Sequence, residues 1–134
     1  MPSQSACRVE IERLHEAFVE WYTGTIEPAE FDRIDGALGA DFEMITPAGD
    51  RRSRDAVLDS IRRAHGREGQ GEFDIEIRNV ELRQVIDSAA AVRYEEWQET
   101  QGDTTARIST ALLREAASAP GGLLWLDLHE TSLE

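Results

Sequence analysis

Apolar residues near the N-terminus recur at helical spacing. Ile11, Leu14, Phe18 and Trp21 form one stripe, and Glu10, Glu12, Arg13, Glu16 and Glu20 occupy the other faces. The pattern predicts an amphipathic helix over residues 5–23, with Gly24 near its end. Pro28 suits the first turn of a second, shorter helix, with Phe31, Ile34 and Leu38 as its buried stripe and Gly39 as its end. Residues 42–46 read as a short strand and 47–50 as a turn. Ser53 is placed to cap a third helix over 54–64, with Asp55 in its first turn and Arg62 and Arg63 in its last.

After a polar, glycine-rich loop at 66–71 the period changes from helical to two. Phe73–Ile86 reads as one long strand whose parity slips. Phe73, Ile75 and Ile77 share one face, Val80, Leu82 and Ile86 the other, so a bulge is expected near Arg78 and Asn79. Ala89–Thr100 and 104–116 are the next strands, and 118–122 is a turn. The final strand, Leu123–Leu133, alternates cleanly, with Leu124, Leu126 and Leu128 on one side and Trp125, Asp127, His129 and Thr131 on the other. Helices followed by an antiparallel meander with a bent first strand make a single α+β domain over 1–134. A bent sheet folded over helices leaves a hollow, and hence a pocket is expected.

Composition narrows the function. The chain has 134 residues and a net charge of -13, and all 14 of its basic residues are arginine. The charge argues against nucleic-acid partners and anionic membranes. The absence of lysine excludes Schiff-base chemistry. One cysteine, Cys7, cannot form an internal disulfide, and no apolar run approaches the roughly 20 residues of a membrane span. The first residues lack a basic start and a separate apolar core, so a secretory signal is not expected and a cytoplasmic location is. His15, His65 and His129 show no metal-ligand spacing; neither a metal nor a cofactor is expected.

Three stretches, in order, carry a family resemblance. They are residues 38–49 (Leu-Gly-Ala-Asp-Phe-Glu-Met-Ile-Thr-Pro-Ala-Gly), 91–97 (Ala-Val-Arg-Tyr-Glu-Glu-Trp) and 122–130 (Gly-Leu-Leu-Trp-Leu-Asp-Leu-His-Glu). Together they resemble the nuclear transport factor two-like superfamily. That superfamily includes the ketosteroid isomerases, the SnoaL-like polyketide cyclases and the calcium/calmodulin-dependent kinase association domain. The resemblance implies a cone-shaped, cystatin-like domain with three helices on a strongly bent antiparallel sheet, usually a homodimer. It transfers no activity, because many functions share the fold. Thr46 stands where an isomerase would carry its proton-shuttling Asp, and Phe18 where it would carry its oxyanion-hole Tyr. Both departures argue against ketosteroid isomerisation.

Candidate site residues follow from parity. Asp127 and His129 share a strand face and could act as an acid–base pair. The preferred reading makes that face a dimer surface anchored by Trp125, with Trp97 as a second anchor. Tyr94 and Glu96 share one face of their strand and Arg93, Glu95 and Trp97 the other; parity alone does not say which lines the hollow. Arg107 is either a carboxylate anchor in the pocket or a cross-strand ion-pair partner. Tyr22 either reaches the pocket mouth or seals the core. With Thr46, these give Tyr22, Thr46, Tyr94, Glu96 and Arg107 as pocket candidates. The expected function is a homodimer binding a small apolar or weakly acidic molecule. The alternatives are a SnoaL-like isomerase, cyclase or hydrolase, and a dimerisation module without ligand.

Overall fold

A computed structural model describes residues 1–133. Helix α1 spans Gln4–Tyr22, capped by Ser3, whose hydroxyl accepts from the Ala6 amide. A 3-10 turn at Pro28–Phe31 runs into a short α2, Asp32–Asp35. Strands β1 (Leu38–Ile45) and β2 (Arg51–Ser53) precede α3, Arg54–Arg63, where the Ser53 hydroxyl accepts from the Ala56 amide as expected. Four long strands follow: β3 Phe73–Ile86, β4 Ala89–Thr100, β5 Asp103–Glu115 and β6 Leu123–Leu133.

The six strands form one curled, unclosed sheet in the order β2-β1-β6-β5-β4-β3. β3 to β6 are the expected antiparallel meander. The remainder corrects the expectation. The second helix stops at Asp35, and Leu38, assigned above to its stripe, instead opens β1. β1 pairs parallel to β6, so the sheet is mixed. That pairing joins segments some 85 residues apart, and local periodicity carries no trace of it. Gly39 permits the close approach, because a Cβ there would stand 3.2 Å from the Trp125 carbonyl oxygen.

Two irregularities set the faces. In β3 the register shifts between Arg78 and Glu81, with Asn79 at a φ of 56°, where the parity slip was read. A second shift between Leu82 and Gln84 turns Val85 inward and leaves Ile86 exposed, against the single slip expected. In β6, Leu113 pairs with Trp125 and Leu112 with Asp127, so Leu126 is an extra residue opposite one step of β5. The bulge reverses the alternation. Leu123, Trp125, Leu128 and Glu130 are buried, whereas Asp127 and His129 are exposed. The uniform face predicted for Trp125, Asp127 and His129 therefore does not exist.

Helix α1 packs against β3 and α3 against β1. The core joins Ile11, Leu14 and Trp21 of α1 to Val92, Leu113 and Trp125 of the sheet. Among the described residues no helix is long and apolar enough to cross a membrane.

Candidate functional site

A cavity of about 300 Å³ lies between the helices and the concave face of the sheet. Its walls are largely apolar: Leu14 and Phe18 from α1, Phe42 and Met44 from β1, Ile61 from α3, and Leu128 from β6. Tyr22, Thr46, Tyr94, Glu96 and Arg107 all line it, so the even-numbered face of β4 is the inner one. Trp97 lies on the opposite face of β4, half-buried beneath the Arg78 guanidinium, 4.3 Å above its ring.

Trp125 belongs to the cavity wall, and its placement on a dimer surface is corrected. It is 1% exposed, and its indole N–H donates to Glu10 Oε2 at 2.9 Å. Glu10 Oε1 accepts from Arg33 at 3.1 Å, so a buried carboxylate on α1 fixes the ring. Burial raises the Glu10 pKa, and the Trp125 and Arg33 contacts only partly offset it. Asp127 and His129, the acid–base candidates, are turned outward by the bulge at Leu126 and do not line the cavity. Burial, then the nearby Glu43 carboxylate, raises the Asp127 pKa.

Polar groups gather at one end of the cavity. His15 Nε2 lies 3.1 Å from Glu96 Oε1, and His15 Nδ1 lies 2.7 Å from the Ile11 carbonyl oxygen. Glu96 also accepts from the Gln98 amide. On the adjacent strands, Arg107 donates to Glu130 Oε1 at 3.1 Å. Burial alone would discharge Glu96, but His15, Gln98 and Arg107 outweigh it and hold its pKa at about 2. Burial likewise opposes the His15 charge, and Glu96 with the Ile11 carbonyl overcomes it, so the His15 pKa is raised. Carbonyl and carboxylate oxygens only accept, so both ring nitrogens donate and His15 is an imidazolium. It has no free lone pair with which to act as a base. The Glu130 pKa is raised by burial and by Glu96, against the pull of Arg107.

The interior is thus electrically balanced, with two cations facing two carboxylates. Arg107 takes the ion-pair role of its two alternatives. Beside these pairs the Tyr94 and Ser109 hydroxyls are buried without a hydrogen bond of good geometry. They face each other across β4 and β5, near enough for Ser109 to draw the Tyr94 pKa down slightly. Burial, with the Glu96 and Glu130 charges, still raises it well above the usual phenol value.

His15, Gln98 and Glu130 escaped the sequence reading. His15 lies four residues after Ile11 and three before Phe18, on the apolar stripe itself, so its signal was present. Glu130 follows Leu128 with inward parity, but only once the bulge is known. Among the described residues no cluster of three His, Cys, Asp or Glu is placed to hold a metal.

The family described as sucrose-6-phosphate phosphohydrolase C-terminal matches residues 11–134 of the chain. No curated protein matches it. Among solved structures, an NTF-2-like protein of unknown function from Pseudomonas aeruginosa is 28% identical, with a TM-score of 0.87 over 96% of this chain and 99% of that one. The CaMKII hub of S. rosetta has the same fold at 12% identity, with a TM-score of 0.74 over 99% of this chain and 100% of that one. ActVI-ORFA of Streptomyces coelicolor shares it at 13% identity, with a TM-score of 0.66 over 94% and 97%.

Proposed function

The chain belongs to the sucrose-6-phosphate phosphohydrolase C-terminal family and has the nuclear transport factor two-like fold, and we propose that it binds a small, largely apolar molecule in its conical cavity. The observation that carries this reading is the cavity itself, about 300 Å³ of space walled mainly by Leu14, Phe18, Phe42, Met44, Ile61 and Leu128. A largely apolar hollow with a few polar groups gathered on one side suits a small, mostly apolar ligand. The paired interior charges favour an uncharged group at this end of the cavity, because a buried net charge would stand unneutralised.

A thermal-shift screen of uncharged apolar molecules bearing one hydroxyl or carbonyl tests the reading. A specific ligand at 100 times its Kd stabilises the protein by about 2.7 kcal/mol, and the cavity-filling variant Leu128→Trp should weaken its binding. Absence of any stabilising compound, or equal binding by Leu128→Trp, would reject the reading.

We further propose that the outer sheet face mediates self-association. Ile108, Leu112 and Trp97 face outward there as partly exposed apolar residues in an acidic surface. Ile108→Glu should convert a dimer to a monomer in light scattering; a mass unchanged by it, or a monomeric wild type, would reject this assembly.

A further inference from the structure

The cavity opens beside a second concavity on the surface of α3, and the two share Arg52 and Ser60 in their linings. The floor of this groove is Ala56, Ser60 and Ala64, small residues spaced one helical turn apart that expose a channel along the helix. Its charged walls are Arg52, Arg63 and Arg67 against one carboxylate, Asp59. Arg63 reaches Asp59 at only 3.8 Å, and Arg67 pairs with Glu68 at 3.2 Å while lying over the Tyr22 ring at 4.9 Å. Arg52 has no carboxylate within 4.0 Å among the described residues. In a chain of net charge -13, this edge of the cavity is locally cationic.

We propose that the groove is an anion subsite, and that the natural ligand is an amphiphilic anion. This rests on the proposed binding function: the uncharged apolar body occupies the cone, and a terminal carboxylate, sulfonate or phosphate lies at the mouth. Two features distinguish this end from the interior. Inside, His15 and Arg107 are each matched by a carboxylate, whereas at the mouth Arg52 has none within 4.0 Å among the described residues, Arg63 reaches Asp59 only at 3.8 Å, and Arg67 alone is closely paired, with Glu68. Tyr22 lines the cavity and carries Arg67 on its ring, so the aromatic wall and the cationic rim are one continuous surface. Guanidinium groups suit such an anion because they present paired N–H donors to its oxygens. The net negative charge of the chain sharpens the discrimination, because it disfavours anions over the surface as a whole.

Two fluorescent probes of similar body separate the two proposals. 1-Anilinonaphthalene-8-sulfonate carries an anion; N-phenyl-1-naphthylamine does not. Both are titrated against wild type, Arg52→Gln/Arg63→Gln and the cavity-filling variant Leu128→Trp, each checked for folding by circular dichroism. The sulfonate should bind wild type about fivefold or more tightly than the neutral probe. The double arginine variant should erase that advantage by weakening the sulfonate far more than the neutral probe, and added salt should do the same. Leu128→Trp should weaken both probes. Equal affinities in wild type, or an equal loss of both probes in the arginine variant, would overturn the anion subsite while leaving the cavity reading intact. Failure of both probes to bind wild type, or binding indifferent to Leu128→Trp, would overturn both.

Discussion

His15 Nε2 stands 3.1 Å from Glu96 Oε1, and the bond joins the first helix to a central strand across 81 residues of sequence. Both side chains are buried, so this is an ion pair with little solvent screening. Both of its partners titrate, so the contact is pH-dependent from both sides.

His15 should still be mostly imidazolium at pH 6.5, where a free histidine is half titrated. Its ordinary pKa is 6.5 and the folded value is higher, so the stability it contributes is complete below 6.5 and is lost as the pH rises through the folded value. Glu96 acts on the other side: its contribution is present above 4.5 and is lost as the pH falls through about 2. Nitrogen chemical shifts should show both His15 ring nitrogens protonated at pH 6.5. In His15→Gln, the fall in stability above pH 6.5 should flatten. A neutral imidazole at pH 6.5 would contradict the assignment.

Tyr94→Phe should change the stability of the ligand-free protein by no more than about 1 kcal/mol, because the hydroxyl it removes has only the poorly aligned Ser109 hydroxyl beside it. Urea denaturation measures this. A loss above about 1 kcal/mol would mean that the hydroxyl is bonded.

Gly121→Ala should destabilise by about 2 kcal/mol. The new Cβ would lie 2.0 Å from Glu10 Oε1. A free glutamate would swing aside, but this one is held by Trp125 and Arg33. Denaturation together with Trp fluorescence should report both the loss and a disturbed Trp125. Stability equal to wild type would show that Glu10 is free to move.

Arg107→Ala strands the buried Glu130 carboxylate and should cost about 2 kcal/mol at neutral pH, discounted for the partial exposure of Arg107. The loss should shrink at acid pH, where Glu130 takes up a proton; its raised pKa already points that way. Arg107→Met/Glu130→Leu should recover most of the stability. A double variant no better than the single would place the cost elsewhere.

Local pattern carried most of these elements. Ser53 announced its helix, the change of parity after Ile77 marked a bend, and Leu123–Leu133 has the bounds read from its alternation. The parallel pairing of β1 with β6 and the short strand β2 were hidden, since each depends on a partner rather than on the segment itself. On β4 the alternation is unbroken, so Tyr94 and Glu96 are read as one face and the cavity takes them together with Gln98, but parity alone does not mark that face as the inner one. On β6 an intact alternation misled. Leucines occupy both sides of the bulge, and nothing in Leu-Leu-Trp-Leu-Asp-Leu marks which is the extra one.

That one surplus residue has a consequence for how such a cavity changes over time. Removing Leu126 would close the bulge and leave every facing as it is, because Leu113 already pairs with Trp125 and Leu112 with Asp127. The surplus residue is slack: the last strand can lose one residue there and still present Leu128 and Glu130 inward, with His129 outward. A deletion or insertion beyond the bulge has no such slack and exchanges the faces of the residues that follow it, rewriting several positions of the wall at one stroke.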